Sequence, residues 1–289
     1  MLLLILILLV LISTMWAELR IICAATKATV DIQEMARDLK QYDVVFFGEA
    51  HDDELQHQLQ AALLPLLDDD LWQIALSFEM WERDVQEVVD LFLKGLVTQE
   101  EFLEKSRAWS NSPHYMPLIL YAKDRALPVI AANVPREYAS RVAKQGLEFI
   151  ENLPPHERAY LASSISCPAD RYKEKFLTVM HAMSGHMTNP ESIERLYQAQ
   201  CLKDETMAES IAVFMKKNEN YRVIHFNGDF HSSEFLGTVG KLKEAIPNKN
   251  IAVISHLYLD DWDTADIDDE ILSLGTYILL MARDKGESK

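Results

Sequence analysis

The sequence predicts an α/β protein with a mostly parallel central sheet, flanked by helices and carrying an inserted helical cap subdomain. Six short apolar segments recur along the chain, and helical patterns separate most of them. Their apolar character is continuous rather than alternating, which is typical of strands buried on both faces, as in a parallel sheet covered by helices. The intervening helical patterns supply the covering layers.

The predicted strands are the segments at 44–47, 74–78, 128–132, 222–226, 251–255 and 277–281. Several of these runs end in polar residues, which marks where each strand leaves the sheet. Helical patterns fill 53–67, 82–106 and 234–245.

The interval 134–218 contains no comparable strand and is predicted as helices at about 136–151, 154–164, 170–184 and 190–217. The last of these has a clear start, with Thr188 or Asn189 as the cap and Pro190 in the first turn. We therefore predict one α/β domain over residues 26–289, with a helical cap subdomain inserted at about 134–218.

Residues 2–12 form an unbroken apolar run. A bilayer-spanning helix needs about 20 apolar residues, and this run has the length of a signal-peptide core instead. Ala17 or Ala25 offers a small residue before a cleavage site. Residues 1–25 are thus predicted as a signal peptide or an N-terminal membrane anchor, and the protein as exported to the periplasm or the cell envelope. Cys23 lies where a lipoprotein is acylated, but the bulky Ile22 before it argues against a lipid anchor there.

Charge and cysteine content exclude other classes. The chain has 45 acidic and 28 basic residues, a formal net charge of -17. Such a chain repels a phosphate backbone, so nucleic acid is excluded as a partner. The three cysteines, at 23, 167 and 201, are widely separated and fit neither a disulfide framework nor a thiolate zinc site.

Polar side chains follow the predicted strands at the edge where open α/β sheets bind ligands. Two chemistries suit them. Carboxylates and imidazoles can hold a divalent metal ion such as zinc, manganese or iron with a position open for water. Without a metal, a carboxylate of raised pKa and a histidine near neutrality can perform acid–base catalysis. The candidate catalytic and metal-binding residues are Glu49, His51, Glu79 and His231, with Asn133 and Asp229 at neighbouring strand ends.

Structural explanations compete with this hypothesis. Glu79 can cap a helix that begins near Trp81, since carboxylates favour helix N-termini. His225, inside an apolar strand, is predicted to be a hydrogen-bonded core histidine, and His57 is predicted to lie on an exposed helix face.

The helical insertion contains a second group of candidate ligands. His, Met and Tyr side chains in an apolar helical pocket are the types that hold haem iron, although methionine-rich stripes also occur as ordinary core packing. The absence of a CxxCH sequence excludes covalent c-type haem. The candidates are His181 and His186, among Met180, Met183 and Met187, with Tyr172 upstream and Tyr197 downstream.

Five segments occur in an order found in one protein family. They are VVFFGEAHDD, ALSFEMWERDVQEVVDLFLKG, the spaced Trp109, Tyr115 and Pro117 with PVIAANVPRE, YQAQCLKDETMAESI, and HFNGDFHSSEFLGTVGKL. Over about residues 40–245 the chain resembles the ChaN-like haem-binding lipoproteins of the Tiki/TraB/erythromycin-esterase superfamily.

The resemblance implies an α/β fold whose helical part contributes to a haem pocket. It also implies an exported or lipid-anchored bacterial protein of haem or iron acquisition, and a homodimer around two cofacial haems. Tyrosine ligation with a histidine from the partner subunit is the arrangement it implies, for which Tyr197 and Tyr172 are candidate ligands and His181 and His186 candidate partners.

Superfamily relatives with a Gly-x-x-His motif, here Gly48 to His51, are metal-dependent proteases or esterases. Two functions are therefore predicted. The first is haem binding at the cell envelope, with haem as cofactor. The alternative is a metal-dependent hydrolase that uses the Glu/His residues at the strand ends. A third hypothesis is an interaction module in which both sites are remnants.

Overall fold

A computed structural model of the protein describes residues 19–68, 73–183 and 189–283. Within these ranges the chain forms an eight-stranded mixed sheet of order β2-β1-β8-β7-β3-β6-β4-β5. The strands are β1 (Leu19–Cys23), β2 (Ala28–Val30), β3 (Val44–Glu49), β4 (Gln73–Glu82), β5 (Val129–Asn133), β6 (Tyr221–Gly228), β7 (Ile251–Leu259) and β8 (Tyr277–Ala282).

Helices cover both faces of this sheet. In the described part of the chain they are α1 (Ile32–Leu39), α2 (Glu54–Leu67), α3 (Gln86–Leu93), α4 (Gln99–Lys105), α5 (Met116–Asp124), α6 (Arg136–Gln145), α7 (Glu148–Glu151), α8 (Pro155–Arg158), α9 (Arg171–Met183), α10 (Pro190–Lys217), α11 (Thr238–Ala245) and α12 (Asp269–Leu272).

The predicted α/β class and the mostly parallel sheet are confirmed. The six predicted strands correspond to β3–β8, and neighbouring strands among these six run parallel. Every residue of β3 and of β5 is buried. Since helices cover both faces, neither face favours polar residues, which explains the unbroken apolar runs.

Two strands were not predicted. β1 pairs antiparallel with both β2 and β8, and its Ile22 is fully buried. The strand lies within the predicted N-terminal segment 1–25, of which residues 1–18 lie outside the described residues. Cleavage after Ala25 would remove β1 from the sheet, whereas cleavage after Ala17 leaves it in place. No helix in the described ranges is long and apolar enough to cross a membrane.

Some predicted helices are shorter or broken. β4 continues to Glu82, and the predicted helix 82–106 is divided into α3 and α4 around Gly95, whose positive φ of 71° turns the chain. Helix α5 was missed. Between β5 and β6 the described residues contain helices α6 to α10 and no strand.

Helix α10 connects the sheet to this helical region. Asn189 caps it by accepting a hydrogen bond from the Glu191 amide, and Pro190 occupies the first turn. Toward its C-terminus, Met207, Ile211 and Met215 pack in the core cluster that also contains strand residues of β3 and β6. Its N-terminal half packs in a separate cluster with α9. Helix α10 thus holds one end of the helical region between β5 and β6 in a fixed position relative to the sheet.

The buried position of β1 generates a prediction about the N-terminus. We expect removal of residues 1–25 to lower the free energy of unfolding by about 3 kcal/mol or more, because Ile21 and Ile22 leave the core and β2 loses its partner. The protein that lacks residues 1–17 keeps β1 and is the reference for the comparison. Urea unfolding of the two truncated proteins measures the difference, and equal midpoints would contradict the assignment of β1 to the folded domain.

Candidate functional site

The carboxyl ends of three adjacent strands bring the four predicted strand-end residues together. Glu49 is the last residue of β3, and His51 follows it by two positions. Glu79 lies in β4, and His231 ends the short 3-10 turn that follows β6. Because β4 runs on to Glu82, Glu79 is a strand residue, and the alternative that it caps a helix near Trp81 is wrong.

Glu49 and His51 form one half of the site. The Glu49 carboxylate is buried and accepts a hydrogen bond from His51 Nδ1 at 3.0 Å. It also accepts hydrogen bonds from the Tyr115 hydroxyl and from the side-chain amide of Gln60. With these donors in place the carboxylate is held rigidly, and it fixes the orientation of the imidazole ring.

The other ring nitrogen of His51 packs against Gly228, where only a glycine leaves room for the ring. A Cβ added to Gly228 would lie 2.8 Å from His51 Nε2 and 3.6 Å from Glu79 Oε2. The His51 side chain is 35% exposed and its ring meets the Trp109 ring edge-on. Burial lowers the pKa of His51, but the hydrogen bond that His51 donates to Glu49 and the charges of Glu79 and Glu49 outweigh it, so the pKa lies above the ordinary value.

Glu79, His231 and Asp204 form the other half. His231 Nε2 lies 3.2 Å from Glu79 Oε1, and His231 Nδ1 lies 2.7 Å from Asp204 Oδ1. Glu79 Oε2 accepts the backbone N–H of Gly228 at 2.7 Å. All three side chains are buried. The result is an imidazole clamped between two carboxylates.

Asp204 was missed by the sequence analysis. Its carboxylate also accepts the hydroxyls of Thr238 and Tyr172, each at 2.7 Å. The signal was present in helix α10, where the buried face runs through positions 197, 201, 204, 208, 211 and 215. An aspartate on an otherwise apolar helix face must find buried partners, so its position predicts a polar contact.

The charges of this half follow from its contacts. Burial disfavours the imidazolium form, but the charges of Glu79 and Asp204 more than offset it and raise the pKa of His231 to about 10. Burial alone would raise the pKa of Glu79. The positive charge of His231 outweighs burial, so the pKa of Glu79 lies well below its usual range. His231 is therefore a buried imidazolium at neutral pH.

This arrangement does not support the predicted divalent metal site. Both ring nitrogens of His231 are engaged by carboxylates, Nε2 by Glu79 and Nδ1 by Asp204. In the described part of the chain, no group of three or more His, Cys, Asp or Glu side chains is arranged to hold a metal ion. The predicted rise in the pKa of one carboxylate is not found at Glu79, whose pKa is lowered instead.

The candidate haem ligands that the structure describes lie in α9 and α10. Tyr172 is buried and donates its hydroxyl to Asp204. Tyr197 is fully buried and donates its hydroxyl to the carbonyl of Pro168 at 2.9 Å. His181 is exposed in the last turn of α9. His186 lies outside the described residues.

Two histidines were assigned structural roles by the sequence. His225 is a fully buried core residue, bonded through Nδ1 to Ser77 Oγ at 2.8 Å, as predicted. The prediction that His57 lies on an exposed face is wrong. His57 is buried, stacks on His114, and lies 2.9 Å through Nε2 from the carbonyl oxygen of His51. It therefore helps to position the backbone that carries His51.

Known proteins share the family sequence pattern and the fold of this chain. A family model described as haem-binding uptake, Tiki superfamily, ChaN matches residues 35–242. The fold is similar to a structure described as cofacial haem binding to ChaN of Campylobacter jejuni, with a TM-score of 0.67 and 17% identity over 92% of this chain and 98% of that chain. A weaker similarity, with a TM-score of 0.47 and 13% identity over 78% of this chain and 72% of that chain, links it to an erythromycin esterase mutant in its open conformation. No curated protein sequence matches this one significantly.

The buried imidazolium predicts a dependence of stability on pH. The folded-state pKa of His231, about 10, exceeds its ordinary value of 6.5, so its contribution is complete below about pH 6.5 and is lost as the pH rises toward 10. We expect the wild-type protein to lose on the order of 3 kcal/mol of unfolding free energy across this window, and His231→Gln to lose much less. Urea unfolding at several pH values tests this, with the exposed His156→Gln as control. Parallel pH curves for wild type and His231→Gln would refute the assignment.

Proposed function

Because this chain belongs to the haem-binding uptake family of the Tiki superfamily, the ChaN family, we propose that it binds haem in the bacterial cell envelope and acts in haem or iron acquisition. The observation that carries this proposal is the family match over residues 35–242, which includes strands β3 to β6, their ends and helices α9 and α10. The apolar run at residues 2–12 supports export, with N-terminal membrane association if the segment is retained.

His181 is the iron ligand that the geometry favours among the candidates that the structure describes. Tyr172 and Tyr197 could ligate only after breaking buried hydrogen bonds, which is costly. His181 needs no such rearrangement, and Val179 and Ala182 beside it are exposed apolar residues that a porphyrin can cover. Haem bound there would supply an iron centre held by an imidazole nitrogen.

A surface site of this kind favours a homodimer. Porphyrin has two apolar faces, and an exposed helix end covers one of them, which leaves the other in water. A second haem and a second copy of the chain would bury that face. The cofacial haem binding described for ChaN of Campylobacter jejuni supports this arrangement.

Haem titration tests the proposal. We expect haemin added to the protein lacking residues 1–17 to give a saturable shift in the Soret band, and His181→Ala to weaken binding at least ~10-fold, since the loss of an iron ligand costs more than 1.4 kcal/mol. His156→Ala, which removes another exposed histidine, is the matched control. Tyr172→Phe, Tyr197→Phe and His186→Ala complete the set.

The outcomes separate the claims. If the Soret shift is lost in Tyr172→Phe or Tyr197→Phe but kept in His181→Ala, that tyrosine is the iron ligand instead of His181. The proposal of haem binding would then stand. A titration without a saturable shift would refute haem binding itself.

The partly exposed His51 and its bond to Glu49 favour a second function. His51 Nδ1 donates to Glu49, so Nε2 of this partly exposed side chain is left as a proton acceptor next to Gly228. We propose that His51 activates water for ester or amide hydrolysis, oriented by Glu49, with the His231 imidazolium and Glu79 fixing the local charge. This replaces the metal-dependent mechanism with an acid–base mechanism on the same residues.

Hydrolysis of p-nitrophenyl acetate provides the assay. We expect Glu49→Gln to reduce kcat/KM roughly 100-fold, because the ring loses the partner that orients it. Gly228→Ala should do the same, because its Cβ would displace His51 Nε2, while φ of -58° accommodates alanine. Activity should rise with pH through a midpoint above 6.5, where His51 becomes neutral. Equal rates in wild type and Glu49→Gln would eliminate the centre as a hydrolase, and inhibition by EDTA would contradict the metal-free mechanism.

A further inference from the structure

Helix α10 brings together two cysteines that the sequence places far apart. Cys201 is almost fully buried on the inner face of α10, and Cys167 is half-buried in the irregular segment between α8 and α9. Both belong to the same packed cluster, together with Tyr172, Phe176 and Tyr197. The residues on either side of Cys167 bond to α10 at positions 205 and 197, about one helical turn on each side of Cys201, which places Cys167 beside Cys201.

The backbone on both sides of Cys167 is anchored where it lies. The Ser166 amide donates to Glu205 of α10 at 3.1 Å, and Lys241 donates to the Ser166 carbonyl at 3.0 Å. On the other side, the Pro168 carbonyl accepts the Tyr197 hydroxyl of α10. The segment is thus held against α10 independently of the two sulfurs, so little movement is needed to join them.

The surroundings make the two thiols unequal. The hydrogen bond from Cys201 lowers the pKa of Cys167 and, although burial opposes it, the charge of Lys241 adds to this effect. The pKa of Cys201 is raised, first by that hydrogen bond and then by burial. Cys167 is the partly exposed thiol of lower pKa, which makes it the nucleophile in thiol–disulfide exchange.

We propose that Cys167 and Cys201 form an intramolecular disulfide when the protein meets a disulfide oxidant. The Cys167 thiolate attacks one sulfur of the oxidant RSSR, which breaks the S–S bond and releases RS⁻, protonated to RSH. The Cys201 thiol, after losing its proton, attacks Cys167 of the mixed disulfide and expels the second RS⁻ as RSH. Two protein thiols are oxidised to one disulfide and one RSSR is reduced to two RSH.

The bond closes a loop that contains all of α9. It ties the segment before α9 to the helix that carries Gln200 and Asp204, which contact Tyr172 and His231. A disulfide between Cys167 and Cys201 would therefore restrict the movement of α9 relative to α10. Disulfides of this kind persist in oxidising compartments, where small cross-links stabilise the native state by restricting the unfolded chain.

Thiol counting on the full chain tests the proposal. The reduced protein has three cysteines. After equilibration with oxidised glutathione and removal of the reagent, we expect one thiol to react with Ellman's reagent in denaturant, and a proteolytic digest to contain one linked peptide pair joining Cys167 to Cys201. Reduction with dithiothreitol should restore all three thiols and lower Tm by about 5 °C.

Single variants make the assignment specific. Cys23→Ser should still form the link and leave no free thiol after oxidation, because Cys23 lies in β1, outside the cysteine pair. Cys167→Ser and Cys201→Ser should form no intramolecular link, and their Tm should be the same with and without dithiothreitol. The proposal is overturned if wild type keeps three free thiols, if oxidation stops at a glutathione adduct on Cys167, or if the linked peptides contain Cys23.

Discussion

The buried carboxylate of Asp204 is the contact on which the arrangement of the site depends. A charge removed from water is costly unless every oxygen is paired. Asp204 meets this requirement with donors from three elements, His231 after β6, Thr238 of α11 and Tyr172 of α9. Since Asp204 itself belongs to α10, these hydrogen bonds hold the helical region and the strand ends in one fixed relation. Loss of the Tyr172 bond would leave one oxygen unpaired and loss of His231 would remove the opposite charge, so the four elements are positioned together.

The two halves of the strand-end site differ because only the half around His231 is bonded to Asp204. Around His231 both ring nitrogens face carboxylates, and all three side chains are buried. Around His51 one ring nitrogen bonds to Glu49 while the other lies against Gly228, and the side chain is partly exposed. A fixed buried charge beside a solvent-accessible base is the division that acid–base chemistry requires. The proposed haem surface at His181 lies on exposed α9, so the two proposed functions use different residues and single variants can distinguish them.

Helix α10 is the element that these features share. Gln200, Cys201 and Asp204 occupy about one turn, so the helix holds them in one fixed relation. Cys167 packs near this turn from outside the strand-end site, in a segment whose Pro168 carbonyl accepts the Tyr197 hydroxyl of α10. An oxidative link there would stabilise the same relation between α9 and α10 that Asp204 maintains through Tyr172. Helix α10 therefore carries the Asp204 hydrogen bonds and one cysteine of the pair within about one turn.

The sequence by itself determined the α/β class, strands β3 to β8, and the strand-end residues Glu49, His51, Glu79 and His231. These depend on local patterns, apolar runs and the residues that end them, which are readable without knowing the fold. Tertiary structure alone decided the pairing of β1 with β8, the burial of His57, the role of Asp204, and the contact between Cys167 and Cys201. Each of these joins residues distant in sequence, and the energy of a buried charge or thiol depends on neighbours that no local periodicity specifies. The apolar β1 strand was assigned to the N-terminal export segment for the same reason, because its partner strand β8 lies at the other end of the chain.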